Sequence, residues 1–294
     1  MAEPANTGPA NTGRANTGRA NTQPAATRPA VQHLVVRYAK RGKMRFASHR
    51  DVARAFERGV RRAGLPIAYS AGFTPHPKIS YAGGAPTGVA SEAEYLTLAL
   101  TARQDETQVC RRLDAALPDG IDVIDVMEAL TGSGGKASPQ DRGGVAGLPP
   151  RADTSFGHLE ASRWRVVLPG VDPAAAQQAV AGFLARGEAP VERLTDKGIR
   201  RLDARAAVIE MNVEMNVVQL GPAAAGPDGG ERAAVTGDED CAILRMVVLH
   251  TAPAVRPEDI LTALREQAGL VPSSPPMTTR LAQGSRALLT GEGS

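Results

Sequence analysis

RYAKRGKMRFASHRDVARAFERGVRRAGLPIAYSAGFTPHPKISY, residues 37–81, carries the densest run of basic charge and the densest structural signals of this 294-residue chain. Its first residues complete HLVVRYA (33–39), whose alternation and β-branching, followed by KRGKMRFA, predict a strand running through or around a turn at Gly42. Ser48 is then a good N-cap, and Asp51 stands three residues on, where a carboxylate completes a capping box and suits the helix dipole. The spacing predicts a helix from Arg50 to Ala63. Val52, Phe56, Val60 and Ala63 recur on one face, and Arg50, Arg54, Arg58, Arg61 and Arg62 on another. Gly64 stops this helix. Farther on, Pro75 and Pro77 fix the backbone on both sides of His76, which predicts a stiff, exposed loop before the extended KISY.

Working outward, EYLTLAL (94–100) alternates as a strand, DETQVCRRLDAAL (105–117) reads as an amphipathic helix, and DVIDVME (122–128) as a strand. The order strand, helix, strand, strand, helix, strand is that of a ferredoxin-like split βαβ unit. The same order returns farther along. RWRVVLP is a strand, Asp172 and Pro173 open a helix, 191–216 is extended, CAILRMVVLH is a strand, RPEDILTALREQAG a helix and MTTRLAQG a last strand. The expected fold is therefore α+β, two ferredoxin-like βαββαβ units in tandem. Residues 1–31 form a low-complexity tail, repeating ANTGP-type pentads from Ala5 without a large apolar residue, and are expected to be disordered. The first unit takes 32–130, a Gly/Pro/Ser-rich linker 131–160, and the second unit 161–285 with a flexible insertion at 221–240. A tail closes the chain at 286–294.

Composition narrows the function. Between residues 35 and 66 ten Lys/Arg face two Asp/Glu, a balance of +8 in a chain of net charge +3, so the remainder is about −5. Positive charge gathered in one place makes a face that meets phosphate or carboxylate. Cys110 and Cys241 are the two cysteines and form no Cys-x-x-Cys pair, so neither a disulfide framework nor a thiolate metal site is expected. No apolar run approaches the ~20 residues of a membrane span, and no signal core opens the chain, which makes a cytoplasmic protein the expectation. Phosphate-binding loops, dinucleotide fingerprints and nucleophile elbows are missing from the sequence, and GGAPTG (83–88) lacks the lysine and helix of a phosphate loop.

Two groups of site residues follow. Lys43, Arg45, Arg50, Arg54, Arg58, Arg61 and Arg62, joined by Lys40 and Arg41, form an anion-binding or nucleic-acid-binding set, since each guanidinium or ammonium can neutralise a phosphate. His49, His76 and Lys78 are the candidate catalytic set, His76 as a proton carrier on its stiffened loop and His49 beside Asp51. A metal bound by His49, His76 and Glu94 is conceivable, but the spacing does not demand it, and no metal or cofactor is expected. A binding module holding RNA is the first reading; an enzyme acting on RNA or a small anionic substrate through His49, His76 and Lys78 is the alternative.

The stretch RGKMRFASHRDVARAFERGVRRAGLPIAYSAGFTPHPKISYAGGAPTGVASEAEYLTLAL, residues 41–100, resembles the signature of the radical-SAM-linked domain family, a bacterial family of unknown function. The resemblance extends over about 34–210. Arg50 stands where the commoner form has leucine, Gly59 where it has alanine, and a leucine is missing near Pro86. What the resemblance implies is an accessory to radical SAM chemistry, with a radical SAM protein as partner. The chain itself lacks the three clustered cysteines that hold a [4Fe–4S] cluster in such enzymes.

Overall fold

The computed structural model describes residues 28–129, 156, 158–196, 198–214 and 241–291. The expected tail up to residue 27, nearly all of the 131–160 linker and the 221–240 insertion lie outside the described residues.

The molecule is of mixed α+β class. In the first half, β1 (Gln32–Lys40) leads into a 3-10 turn (Gly42–Phe46), α1 (His49–Arg62), β2 (Ile79–Tyr81), β3 (Ala90–Leu100), α2 (Glu106–Asp114) and β4 (Ile121–Glu128). The strands lie in the order β4-β1-β3-β2, and every neighbouring pair is antiparallel. α1 starts on the predicted cap: the Ser48 hydroxyl accepts from the Asp51 amide and the Asp51 carboxylate accepts from the Ser48 amide. It ends at Arg62, with Ala63 as cap and Gly64 at φ +60°, a conformation that suits glycine. Val52, Ala55, Phe56 and Val60 pack with Leu34, Val36, Leu96 and Leu98 of the sheet and with Val109 and Leu113 of α2. Tyr38 meets Phe56 edge to face at 4.7 Å between ring centroids.

One expectation fails locally. KRGKMRFA does not continue the strand, because Gly42 turns the chain at φ +49° and the next residues close a 3-10 turn, with Met44 N–H donating to Arg41 O (2.9 Å) and Ala47 N–H to Met44 O (3.0 Å). The turn tucks Met44 against the core and leaves Lys43 and Phe46 outside.

The second half runs β5 (Ala161–Pro169), α3 (Pro173–Leu184), β6 (Pro190–Thr195), β7 (Gly198–Asp203), α4 (Ala204–Ala207), β8 (Val208–Val213), β9 (Cys241–Leu249), α5 (Pro257–Ala268), β10 (Met277–Gly284) and α6 (Arg286–Thr290). Its main strands take the order β10-β5-β9-β8, again antiparallel throughout. The 191–216 stretch, expected to be simply extended, divides into a separate β6-β7 hairpin, the one-turn α4 and β8. The hairpin sits on α5, where Arg193 pairs with Asp259 at 2.6 Å. The closing segment is also more ordered than a tail: α6 buries Leu289 against Ala161 and Val247, and Leu289 O accepts from Arg163.

The halves share one eight-stranded sheet. They join where β10 runs parallel to β3, pairing Thr279 with Ala90 and Arg280 with Ser91. β3 thus divides one edge between β10 at its start and β2 farther along, at 96–98. Among the described residues no helix is long and apolar enough to cross a membrane.

Candidate nucleic-acid interface

α1 is the organising element. Its buried residues occupy one side, and Arg50, Arg54, Arg58 and Arg61 follow each other along the opposite, exposed side. Arg54 lies 3.9 Å from Asp51, a loose pair in open solvent, and Arg50, Arg58 and Arg61 make no hydrogen bond or ion pair among the described residues. Asp51 is held below the usual carboxylate range by the Ser48 hydroxyl and amide, with Arg54 and Arg58 adding attraction, so it is fully ionised near neutrality. Of the two carboxylates of α1, Asp51 serves the cap, and Glu57 is partly buried and close enough to Tyr81 to add to the rise that burial gives its phenol pKa. Arg62 turns to the flank, its guanidinium donating to Ala116 O at the end of α2 (2.9 Å). Lys43 is exposed on the 3-10 turn, and the Arg45 guanidinium lies over the Phe46 ring at 4.7 Å.

Two cations expected on this face leave it. Arg41 is engaged by Glu92 and by Asp122 (2.8 Å), which raise its already high pKa, the Glu92 hydrogen bond most. Lys40 is only 3% exposed, and its ammonium donates to Ala85 O (3.1 Å) and Pro86 O (3.4 Å). It follows Tyr38 on the inward alternation of β1, which is the sequence signal that separates it from its neighbours.

Lys40 belongs to a polar cluster at the β3-β10 junction that the sequence reading missed. Arg280 and Glu94, 4% and 3% exposed, form a buried ion pair. Arg280 also donates to Ser91 Oγ (3.3 Å) and Gly83 O (3.2 Å), and its guanidinium faces the Trp164 ring at 5.5 Å. Glu94 accepts from the Ala85 amide at 3.1 Å. Burial lowers the pKa of Lys40 against the opposing pull of Glu94, and burial, then Glu94, raises that of Tyr38. The glycine-rich loop 83–88 is therefore a strand connection, as its sequence implies, pinned by this cluster. Its Val89 end enters the core of the second half.

The candidate catalytic residues are not brought together. His49 opens α1 at the start of β3, its ring edge-on to Tyr81 at 5.2 Å, beside Gly84, where an added Cβ would lie 3.8 Å from His49 Nδ1 and 3.5 Å from Glu94 Oε2. His76 and Lys78 lie at the other end of α1, where Ala99 N–H donates to Lys78 O and Ile67 bridges Leu100. His76 acts through its backbone: its carbonyl accepts from the Ser70 amide (2.9 Å) and its amide donates to Ser70 Oγ (3.0 Å), closing the loop. The His49, His76, Glu94 trio does not converge, and among the described residues no group of three His, Cys, Asp or Glu is placed to hold a metal. Burial pushes both thiols, Cys110 and Cys241, above their ordinary pKa.

In the second half, exposed Arg200 and Arg201 lie on the β6-β7 hairpin over α5, and Arg193 is spent on Asp259. A cleft of about 470 Å³ opens between α5 and the 270–276 segment, lined mainly by Leu168, Leu261, Leu270, Val271 and prolines.

A family model described as uncharacterized protein conserved in bacteria (DUF2344) matches residues 33–257, well over half of the chain. No curated protein matches it.

Proposed function

The chain belongs to this family of uncharacterized proteins conserved in bacteria (DUF2344), and we propose that it is a binding protein that holds RNA on the arginine face of α1. The observation that carries this reading is the contrast in how arginines are used. Arg41, Arg103, Arg193, Arg245 and Arg280 are engaged by carboxylates, and Arg112 and Arg205 by backbone carbonyls. Arg50, Arg54, Arg58 and Arg61 instead stand in a row on one helix, with one loose partner among them. A solvated helix face ordinarily mixes signs, so an unbalanced row is suited to a polyanion. The separation of His49 from His76 and Lys78 by the length of α1 favours binding over a catalytic role for those three residues. The finer fold reading, two ferredoxin-like units, draws on the identical 4-1-3-2 strand order of the two halves. The radical SAM partner rests on the sequence resemblance alone; in that reading the protein presents RNA to an enzyme that supplies the cluster this chain's two cysteines cannot hold.

The test is a salt titration of binding to total cellular RNA. Wild-type affinity is expected to fall steeply with salt, and replacing Arg54, Arg58 and Arg61 together by Gln to weaken binding and flatten the slope by about 2, some 0.7 for each phosphate contact on a single strand. Salt-independent or undetectable binding of the wild type overturns the proposal.

A further inference from the structure

Of the ten aromatic residues in the chain, two are exposed, and both stand at the ends of α1. Phe46 is the last residue of the 3-10 turn before the Ser48 cap and is 58% exposed; Phe73, at the tip of the proline-stiffened loop, is fully exposed. The others are buried or partly buried, as large apolar rings normally are. α1 begins where β1 ends, runs back along the sheet and leads through Gly64 to the Ile67–Leu100 bridge, from which the 70–76 loop projects. The two rings therefore lie toward opposite ends of the helix, whose 14 residues span about 21 Å and carry the arginine row.

The Phe46 ring is held in place, and the loop that carries Phe73 is fixed at its base. Arg45 stacks its guanidinium over Phe46 and leaves the rest of the ring to solvent. The Phe73 loop is closed at its base by the two Ser70–His76 hydrogen bonds and by the Tyr69–Pro77 bridge, and Pro75 and Pro77 stiffen it, while Gly72 takes φ +128°, which a side chain would disfavour. An exposed phenylalanine forgoes the stabilisation that burial would bring, and a stiff loop presenting one removes the ordering cost of contact with a partner.

Resting on the reading of α1 as a polyanion face, we infer that the ligand is a single-stranded nucleic acid whose bases stack on Phe46 and Phe73 while its phosphates cross the α1 arginines. A duplex offers phosphates but keeps its bases stacked on each other, and an acidic protein offers charge without stacking faces. Only an open strand uses both the guanidinium row and the two rings. Stacking is sequence-tolerant, so little base preference is expected.

The experiment measures fluorescence anisotropy with a labelled 12-nucleotide oligonucleotide, single-stranded or as a duplex, and the quenching of 2-aminopurine placed within it. The expected result is tighter binding of the single strand and altered 2-aminopurine emission. Phe46→Leu and Phe73→Leu should each lose affinity about tenfold with the salt slope unchanged, and Phe73→Trp should restore binding. Both positions are exposed, so the variants should fold as the wild type does, which circular dichroism checks. Ribo- and deoxyribo-oligonucleotides separate the two sources of an open strand: a ribose preference assigns RNA, and equal affinity assigns single strands of either sugar. If the Phe variants bind like wild type while the triple Arg→Gln variant does not, the stacking inference falls and the basic-face reading stands. Equal binding of the duplex, or equal competition by polyglutamate, also overturns it. If the wild type binds neither strand form at low salt, both fall.

Discussion

The arginines of α1 and Arg280 of β10 carry the same charge into opposite surroundings. On α1 the guanidiniums of Arg50, Arg54, Arg58 and Arg61 stand in water on the outside of a helix, and one loose pair is all that engages them. At the β3-β10 junction Arg280 and Lys40 are sealed beneath the 83–88 loop and matched by Glu94, Ser91 and backbone carbonyls. The difference teaches where charge is structural and where it is available. A buried cation must have all its donors satisfied, because leaving one unpaired costs several kcal/mol, and an exposed one is solvated whether or not a partner comes.

The largest expected effect comes from breaking the buried side of this comparison. Glu94→Ala leaves Arg280 and Lys40 without their carboxylate and should destabilise the protein by about 3–5 kcal/mol in urea denaturation. Combining Glu94→Leu with Arg280→Met removes both charges and should recover much of that loss. A Glu94→Ala cost below about 1 kcal/mol would show that the junction charges are not closely coupled.

Arg62 lies between the two classes, exposed along its stem but tied to Ala116 O. Arg62→Ala should cost about 1 kcal/mol, the usual net value of a hydrogen bond, with a smaller effect on RNA affinity than the Arg54, Arg58, Arg61 set. On the outer face, Gln at Arg54, Arg58 or Arg61 should each change stability by no more than about 0.5 kcal/mol. A larger loss measured by thermal unfolding would mean that the row supports the fold instead of a ligand.

The smallest effect sharpens the comparison with a neutral group. His250 ends β9 with Nδ1 at 2.7 Å from Leu159 O and Nε2 at 2.7 Å from Ser162 Oγ. The carbonyl can only accept, so Nδ1 carries the proton and Nε2 accepts from the serine hydroxyl. Burial lowers the His250 pKa, with the Leu159 carbonyl opposing and Arg280 assisting. Above its ordinary value of 6.5 this neutral pairing is fully in place. As pH falls through that value the unfolded chain takes up the proton first, so stability should decline until the lower folded pKa is passed. His250→Gln should flatten unfolding free energy between pH 7 and 5; an unchanged slope would assign the dependence to other groups.

Much of the fold was legible because its signals are local. The Ser48–Asp51 box, the Asp172–Pro173 start and the strand alternations specify elements within a few residues of themselves, and the element order gave the antiparallel arrangement of each half. The 3-10 turn was not legible, since basic residues in KRGKMRFA fit either an extended run or an exposed turn until Met44 finds the core. The cluster of Lys40, Glu94 and Arg280 was hidden for a different reason: 186 residues separate its ion-pair partners, and a charged residue on an alternating strand looks the same whether its inward side meets water or a carboxylate.

The sequence by itself determined that this protein is α+β, that it concentrates positive charge on one capped helix, and that a proline-stiffened loop follows. These depend on periodicity, caps and composition, which are properties of neighbouring residues. Tertiary structure alone decided which cations stay free, that two halves share a single sheet through β3 and β10, and that Phe46 and Phe73 stand at opposite ends of α1 while His49 is parted from His76. Those outcomes depend on which distant groups meet, and only the packed chain fixes the distances at which charges pair and rings remain exposed.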